Sequence, residues 1–180
     1  GRASSTVNLT SILRIIGKRP VPESPAPYPE LKISIAALAH NLQLLRSISP
    51  GRKILIPVKA NAYGCGIHVL LPFFLDNGVD YLGVANPAEG RLLRELGWDR
   101  PVLNLGGFFP ESAGILIENH IEPSLTDLWQ IRELHKLAKQ YQQRIQLHIK
   151  LDLGMGRIGI QRKEISEMLR LFQECESLKI

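Results

Sequence analysis

From Lys53 to Ile180 the sequence predicts an α/β fold, an incomplete TIM-type (β/α)8 barrel with about five to six of its eight strands present. Three observations carry that reading. Short apolar runs alternate with segments of helical periodicity across short connections, a pattern that implies parallel strands joined by right-handed crossovers. The run Ile145 to Asp152 alternates, with Ile145, Leu147, Ile149 and Leu151 on one side and Gln146, His148, Lys150 and Asp152 on the other. That suits a barrel strand with one face on helices and one in the lumen, whereas a central strand of a doubly wound sheet is apolar on both faces. A complete barrel needs ~250 residues, and from Lys53 only five strands and the start of a sixth can be counted.

Before that region lies a segment of a different kind. Residues 1–30 combine Ser, Thr and basic residues with Pro20, Pro22, Pro25, Pro27 and Pro29, a density that forbids helix and disfavours paired strand. The expectation is a Pro-rich extension or linker, with residues 31–180 as the folded part. The start at Gly1 rather than Met reads as a processed or excised chain.

The elements then follow in order. Leu38, Leu42 and Leu45 recur at helical spacing within Ala36 to Ser47. Lys53 to Lys59 is a strand, followed by a helix around Val69 to Asp76 and a strand at Tyr81 to Ala85. Asn86-Pro87-Ala88-Glu89 combines a cap acceptor, a first-turn proline and a glutamate three residues on, which starts a helix that ends near Gly97. Val102 to Leu105 is a strand, Pro110-Glu111 opens a weaker helix, and Ile121 marks a strand stub. Leu128, Ile131, Leu134, Leu137 and Tyr141 form a helical stripe. Ile165, Met168, Leu169 and Phe172 give the last helix, and Leu178 begins another strand.

Composition narrows the function classes. Hydrophobic content of 44% and charged content of 22% are those of an ordinary soluble domain. The net charge of +5 comes from basic residues scattered singly and in pairs, so it reads as solvated surface and not as a nucleic-acid interface. Cys65 and Cys175 fit no metal or redox spacing, and without a disulfide framework or signal peptide the expected compartment is a reducing cytoplasm. No apolar stretch approaches the ~20 residues of a membrane span.

Two stretches carry chemistry. Lys59 closes the run Ile54 to Val58, where parallel α/β folds place their active residues, and strand parity sets it opposite Val58 and Ile56. A lysine there either extends to solvent or acts as an amine nucleophile toward a carbonyl. Tyr63-Gly64-Cys65-Gly66 follows, with a hydroxyl and glycine amides that suit a phosphate. The second stretch is Lys150 to Gly159, in which parity turns Lys150 inward and Arg157 follows the strand, able to hold a carboxylate or cofactor oxygen bidentately. Gly154, Gly156 and Gly159 spell a dinucleotide fingerprint, but helical periodicity begins only near Ile165 and several βα units precede the motif.

Pro57-Val58-Lys59-Ala60-Asn61-Ala62-Tyr63-Gly64 with Gly66 resembles the pyridoxal-phosphate signature of bacterial alanine racemases, and Lys150 to Gly159 resembles that family's second motif. Ser34-Ile35, Asn41-Leu42 and Val84 to Gly90 agree with it, so the likeness covers about Leu31 to Ile180. The resemblance implies a fold-type III enzyme: an N-terminal barrel, a C-terminal β-domain and a homodimer with sites at the interface. It implies that Lys59 binds pyridoxal 5'-phosphate as an imine and is one of two catalytic bases, and that Tyr63 holds the cofactor phosphate. Arg157 would lie on the substrate side, and Lys150 would be the position often carbamylated, giving that arginine a carboxylate partner. No metal is implied.

Cys65 stands where the family usually has histidine, and Leu153 where it usually has threonine. The second base, a tyrosine from the partner subunit's C-terminal domain, and the arginine that meets the pyridine nitrogen are not in this sequence. The chain by itself is therefore expected to be inactive. The expected activity of the whole enzyme is interconversion of L- and D-alanine for peptidoglycan precursors. The alternatives are another fold-type III racemase or decarboxylase, or a non-catalytic barrel that carries the cofactor.

Overall fold

The computed structural model describes residues 31–180, so the extension expected over residues 1–30 lies outside the described residues. The chain divides after Arg52 into two units. In the first, helix α1 (Ile35–Ile48) is capped by Ser34, whose side-chain oxygen accepts the amide of Ala37 at 3.2 Å. Leu42 is buried, while Leu45 of the expected stripe is 47% exposed.

The second unit, Lys53–Ile180, is a parallel α/β partial barrel. Strands β1 (Leu55–Pro57), β2 (Tyr81–Val84), β3 (Val102–Asn104) and β4 (Glu122–Leu125) alternate with helices α2 (Ile67–Asp76), α3 (Pro87–Glu95), α4 (Pro110–Glu118) and α5 (Trp129–Gln140). The region Ile145 to Asp152 follows as three short pieces, β5 (Ile145–Gln146), β6 (His148–Ile149) and β7 (Leu151–Asp152). Next come β8 (Ile160–Gln161), a 3-10 turn, α6 (Ile165–Glu174) and β9 (Leu178–Lys179). The main sheet runs β1-β2-β3-β4-β6, every pair parallel. β5 pairs with β9 and β7 with β8.

The expected continuous strand at Ile145 to Asp152 is thus divided, because its pieces bond to different neighbours. Its first residues pair with β9, the Lys150 amide donates to the Leu125 carbonyl of β4, and Leu151 pairs with Ile160 on the returning chain. Alternation holds for Ile145 and Leu147, both buried, but Leu151 is 41% exposed. The stub expected at Ile121 extends through β4, where Pro123 and Ser124 are buried despite their low strand propensity. Paired to β4 on one edge and β9 on the other, the Ile145 region occupies a fifth barrel position with a sixth begun.

Register separates the two faces of the sheet. Leu55 pairs with Tyr81, Pro57 with Gly83, Gly83 with Leu103, Leu103 with Glu122 and Ser124 with His148, so these residues share one face. The opposite face carries Leu82, Val84, Val102, Leu125 and Leu147, each no more than 1% exposed, and makes the core beneath the helices. Along the first face, Tyr81 Oη donates to Glu122 Oε1 at 3.4 Å and Glu122 Oε2 lies 2.9 Å from His148 Nε2, near the N-terminal ends of the strands.

At that same end two arginines secure chain turns. Arg94 donates to the carbonyls of Trp98, Arg100, Asn119 and His120, and Arg100 donates to those of Phe74, Leu75 and Val79. These are helix-end and connection carbonyls with few other partners, so each guanidinium satisfies several at once.

Candidate functional site

The C-terminal ends of the strands hold the residues singled out from sequence. β1 continues the parity of Leu55 and Pro57, so Lys59 belongs to the face away from the helices, and it is half-buried. The ladder reaches Val58, whose amide donates to the Gly83 carbonyl at 2.7 Å. Then the chain changes hand: Ala60, Asn61, Ala62 and Tyr63 have φ from 51° to 55°, a left-handed helical turn built without glycine. Left-handed helix costs an L-residue roughly 1–2 kcal/mol, so such a run must be held from outside its own propensity.

Its internal bonds are Ala62 N–H to Val58 O, Gly64 N–H to Ala60 O and Cys65 N–H to Ala62 O. Gly66 N–H donates to Asn61 O, and Asn61 Oδ1 accepts the Ile67 amide that opens α2. The amides of Gly64 and Gly66, expected from sequence to face a phosphate, are therefore spent closing this turn. What the turn does offer is Tyr63, 63% exposed, with its ring centroid 5.9 Å from Lys59 Nζ.

Lys150 is half-buried, and its Nζ reaches the Leu105 carbonyl at 3.4 Å, between the ends of β5's region and β3. Beyond it Asp152 Oδ1 accepts the amides of Gly154 and Gly156, both at 3.0 Å. Those backbone donors, Gly156 first, hold the Asp152 carboxyl below its ordinary value. The loop then returns against its own strand. At Gly159 φ is 140°, and an added Cβ would lie 2.8 Å from Asp152 N and 2.9 Å from Lys150 O, so only glycine fits. Arg157 projects from this loop, exposed, and among the described residues it makes no hydrogen bond to Lys59 or Lys150.

No helix begins inside Gly154 to Gly159, which removes the dinucleotide reading of those glycines.

Two residues brace this rim: Gln130, which the sequence reading passed over, and Glu89, which it used only as a cap residue. Gln130, buried although on the apolar stripe of α5, accepts the Thr126 and Asp127 amides and donates to the Phe108 carbonyl. Glu89 does not bond the cap residue as a capping-box acid would; its two oxygens accept the amides of Ala60 and Ala85. A polar residue in a hydrophobic stripe was the available signal for Gln130. Glu89 gave none beyond its cap spacing.

Electrostatically the rim is unbalanced. Glu89 and Asp152 are engaged by backbone amides, and Lys59, Lys150 and Arg157 have no carboxylate partner among the described residues. A lysine amine beside an exposed phenol, with Lys150 and Arg157 at the same end of the sheet, is a donor set that fits an anionic ligand carrying a carbonyl. Among the described residues no group of three or more metal-ligating side chains occurs, and no helix is long and apolar enough to cross a membrane.

Comparison with known proteins bears on the family and the fold. The family model described as alanine racemase, N-terminal domain, matches residues 33–180. The alanine racemase of Geobacter sulfurreducens is 39% identical over 150 residues, 83% of this chain and 39% of that protein. Among solved structures, the alanine racemase of Clostridium difficile 630 superposes with a TM-score of 0.73 at 32% identity, over 79% of this chain and 38% of the other. The alanine racemase of Bartonella henselae with covalently bound pyridoxal phosphate gives 0.75 at 24% identity over 82% of this chain and 43% of the other, a likeness of fold. The chain spans about two fifths of the length of the curated relatives it matches. The chain belongs to the alanine racemase N-terminal domain family.

Proposed function

We propose that this chain supplies the N-terminal part of the pyridoxal 5'-phosphate-binding barrel of a cytoplasmic, homodimeric alanine racemase that interconverts L- and D-alanine for cell-wall precursor supply. The observation that carries the reading is Lys59: a half-buried amine at a strand end, on the face away from the helices, with no carboxylate partner among the described residues. Lys59 would hold the cofactor covalently, and the Tyr63 hydroxyl would hold its phosphate. When bound, the cofactor supplies an electron sink that makes the Cα proton of an amino acid removable.

The chain's own residues supply the rest. Lys59 Nζ takes or returns a proton on one face of the substrate. Arg157 orients a substrate carboxylate, and Lys150, once carbamylated, gives that guanidinium an anionic partner. The opposite face needs a second base from the remainder of the dimer.

The test uses the intact polypeptide that contains this chain. After incubation with pyridoxal 5'-phosphate and reduction with borohydride, mass spectrometry should find the pyridoxyl adduct on Lys59; an adduct only on other lysines rejects the site. Chiral chromatography should show racemisation of L-alanine, reduced by at least about a thousandfold in Lys59→Ala. Release of carbon dioxide instead would assign a decarboxylase, and an adduct without turnover of any amino acid would assign a carrier.

A further inference from the structure

We propose that Glu89 is a positioning residue for Lys59, an inference that rests on the reading of Lys59 as the cofactor-bearing amine. Glu89 Oε1 accepts the Ala60 amide at 2.9 Å and Oε2 accepts the Ala85 amide at 2.8 Å. One carboxylate therefore ties the residue after Lys59 to the end of β2. The residue before Lys59 is tied to the same strand, since the Val58 amide donates to Gly83 O. Lys59 is bracketed, with both neighbours fixed to β2, and little freedom remains in the direction of its side chain.

The bracket falls where the backbone most needs one. Ala60 opens the left-handed turn, and its amide, like the first amides of any helical turn, has no partner within it. Without Glu89 that donor would be lost to the turn at the point where the chain leaves the β1 ladder. Glu89 is itself held: its amide donates to Asn86 Oδ1 at 3.0 Å, and Pro87 starts α3. Two amide bonds to one carboxylate belong to the stronger class of protein hydrogen bonds. The rigidity of α3 is thereby passed to Lys59 across two strand ends, which is how an amine is kept within reach of a reacting atom.

The test compares Glu89→Asp, which keeps the charge but lacks the reach to Ala60, with Glu89→Ala, both in the intact polypeptide. Hydrogen exchange followed by mass spectrometry should show the peptide spanning residues 59–66 exchanging about tenfold faster, as expected for loss of one charge-assisted bond. A peptide spanning residues 102–105 should be unchanged. In the racemisation assay kcat should fall about tenfold with KM kept, since Lys59 is misdirected while substrate contacts remain. Unchanged exchange at 59–66 in both variants, faster exchange everywhere in both, or a rise in KM with kcat kept would each overturn the assignment. If the unaltered protein neither labels at Lys59 nor racemises alanine, the proposed function falls, and the exchange result still decides whether Glu89 holds the turn.

Discussion

At the scale of single residues, the site is shaped more by backbone amides than by side-chain pairs. Asp152 is the clearest case, because its ionised form is preferred through the amides of Gly156 and Gly154. A carboxyl whose folded value is depressed adds stability that is full above its unfolded value and lost as pH falls through the folded one. The amide signals of Gly154 and Gly156 in NMR spectra should therefore be flat at neutral pH and shift together with a midpoint below 3.8. A midpoint at or above that value would contradict the loop geometry. In Asp152→Ala the transition should vanish and the Arg157 loop should exchange faster at all pH values.

Among elements, the left-handed turn after β1 departs furthest from what local propensity dictates. Asn tolerates that conformation, but Ala60, Ala62 and Tyr63 do not favour it. Relief of this strain should be measurable: Ala60→Gly, at an exposed position, should stabilise the protein by about 0.5–1 kcal/mol in chemical denaturation. A loss of stability would mean that the turn is not strained there. The helices were the most legible elements, since Asn86-Pro87-Ala88-Glu89 and the apolar stripe of α5 state a cap and a face in their own residues. Least legible was β4, expected only as a stub at Ile121, because Glu-Pro-Ser-Leu has low strand propensity and becomes a strand where β3 and β6 flank it.

On the scale of the whole barrel, the two ends of the strands divide the work. The N-terminal end carries the arginine ties, and Arg94→Ala, which strands carbonyls in the α3–β3 connection and at the end of α4, should lower unfolding stability by about 3 kcal/mol. The effect should appear in thermal or denaturant unfolding with Lys59 labelling retained in the folded fraction. A stability change below about 1 kcal/mol would show those bonds to be replaced by water. The C-terminal end carries Lys59, Tyr63, Lys150 and Arg157.

Alternation of apolar runs and helical stripes, strand parity at Lys59 and Lys150, and the spacing of the two motifs are properties of neighbouring residues, and the sequence alone determined them. They were enough for the fold class, while the family came from the resemblance of the two motifs and the roles of Lys59, Tyr63, Lys150 and Arg157 stand as proposals. Contacts between segments far apart in the chain were decided only by the tertiary structure. Ala60 adopts a left-handed conformation because α2, β2 and Glu89 hold its ends, and Glu89 reaches it across 29 positions of sequence. No local pattern encodes such a bond, because its energy exists only once β1 and β2 lie side by side.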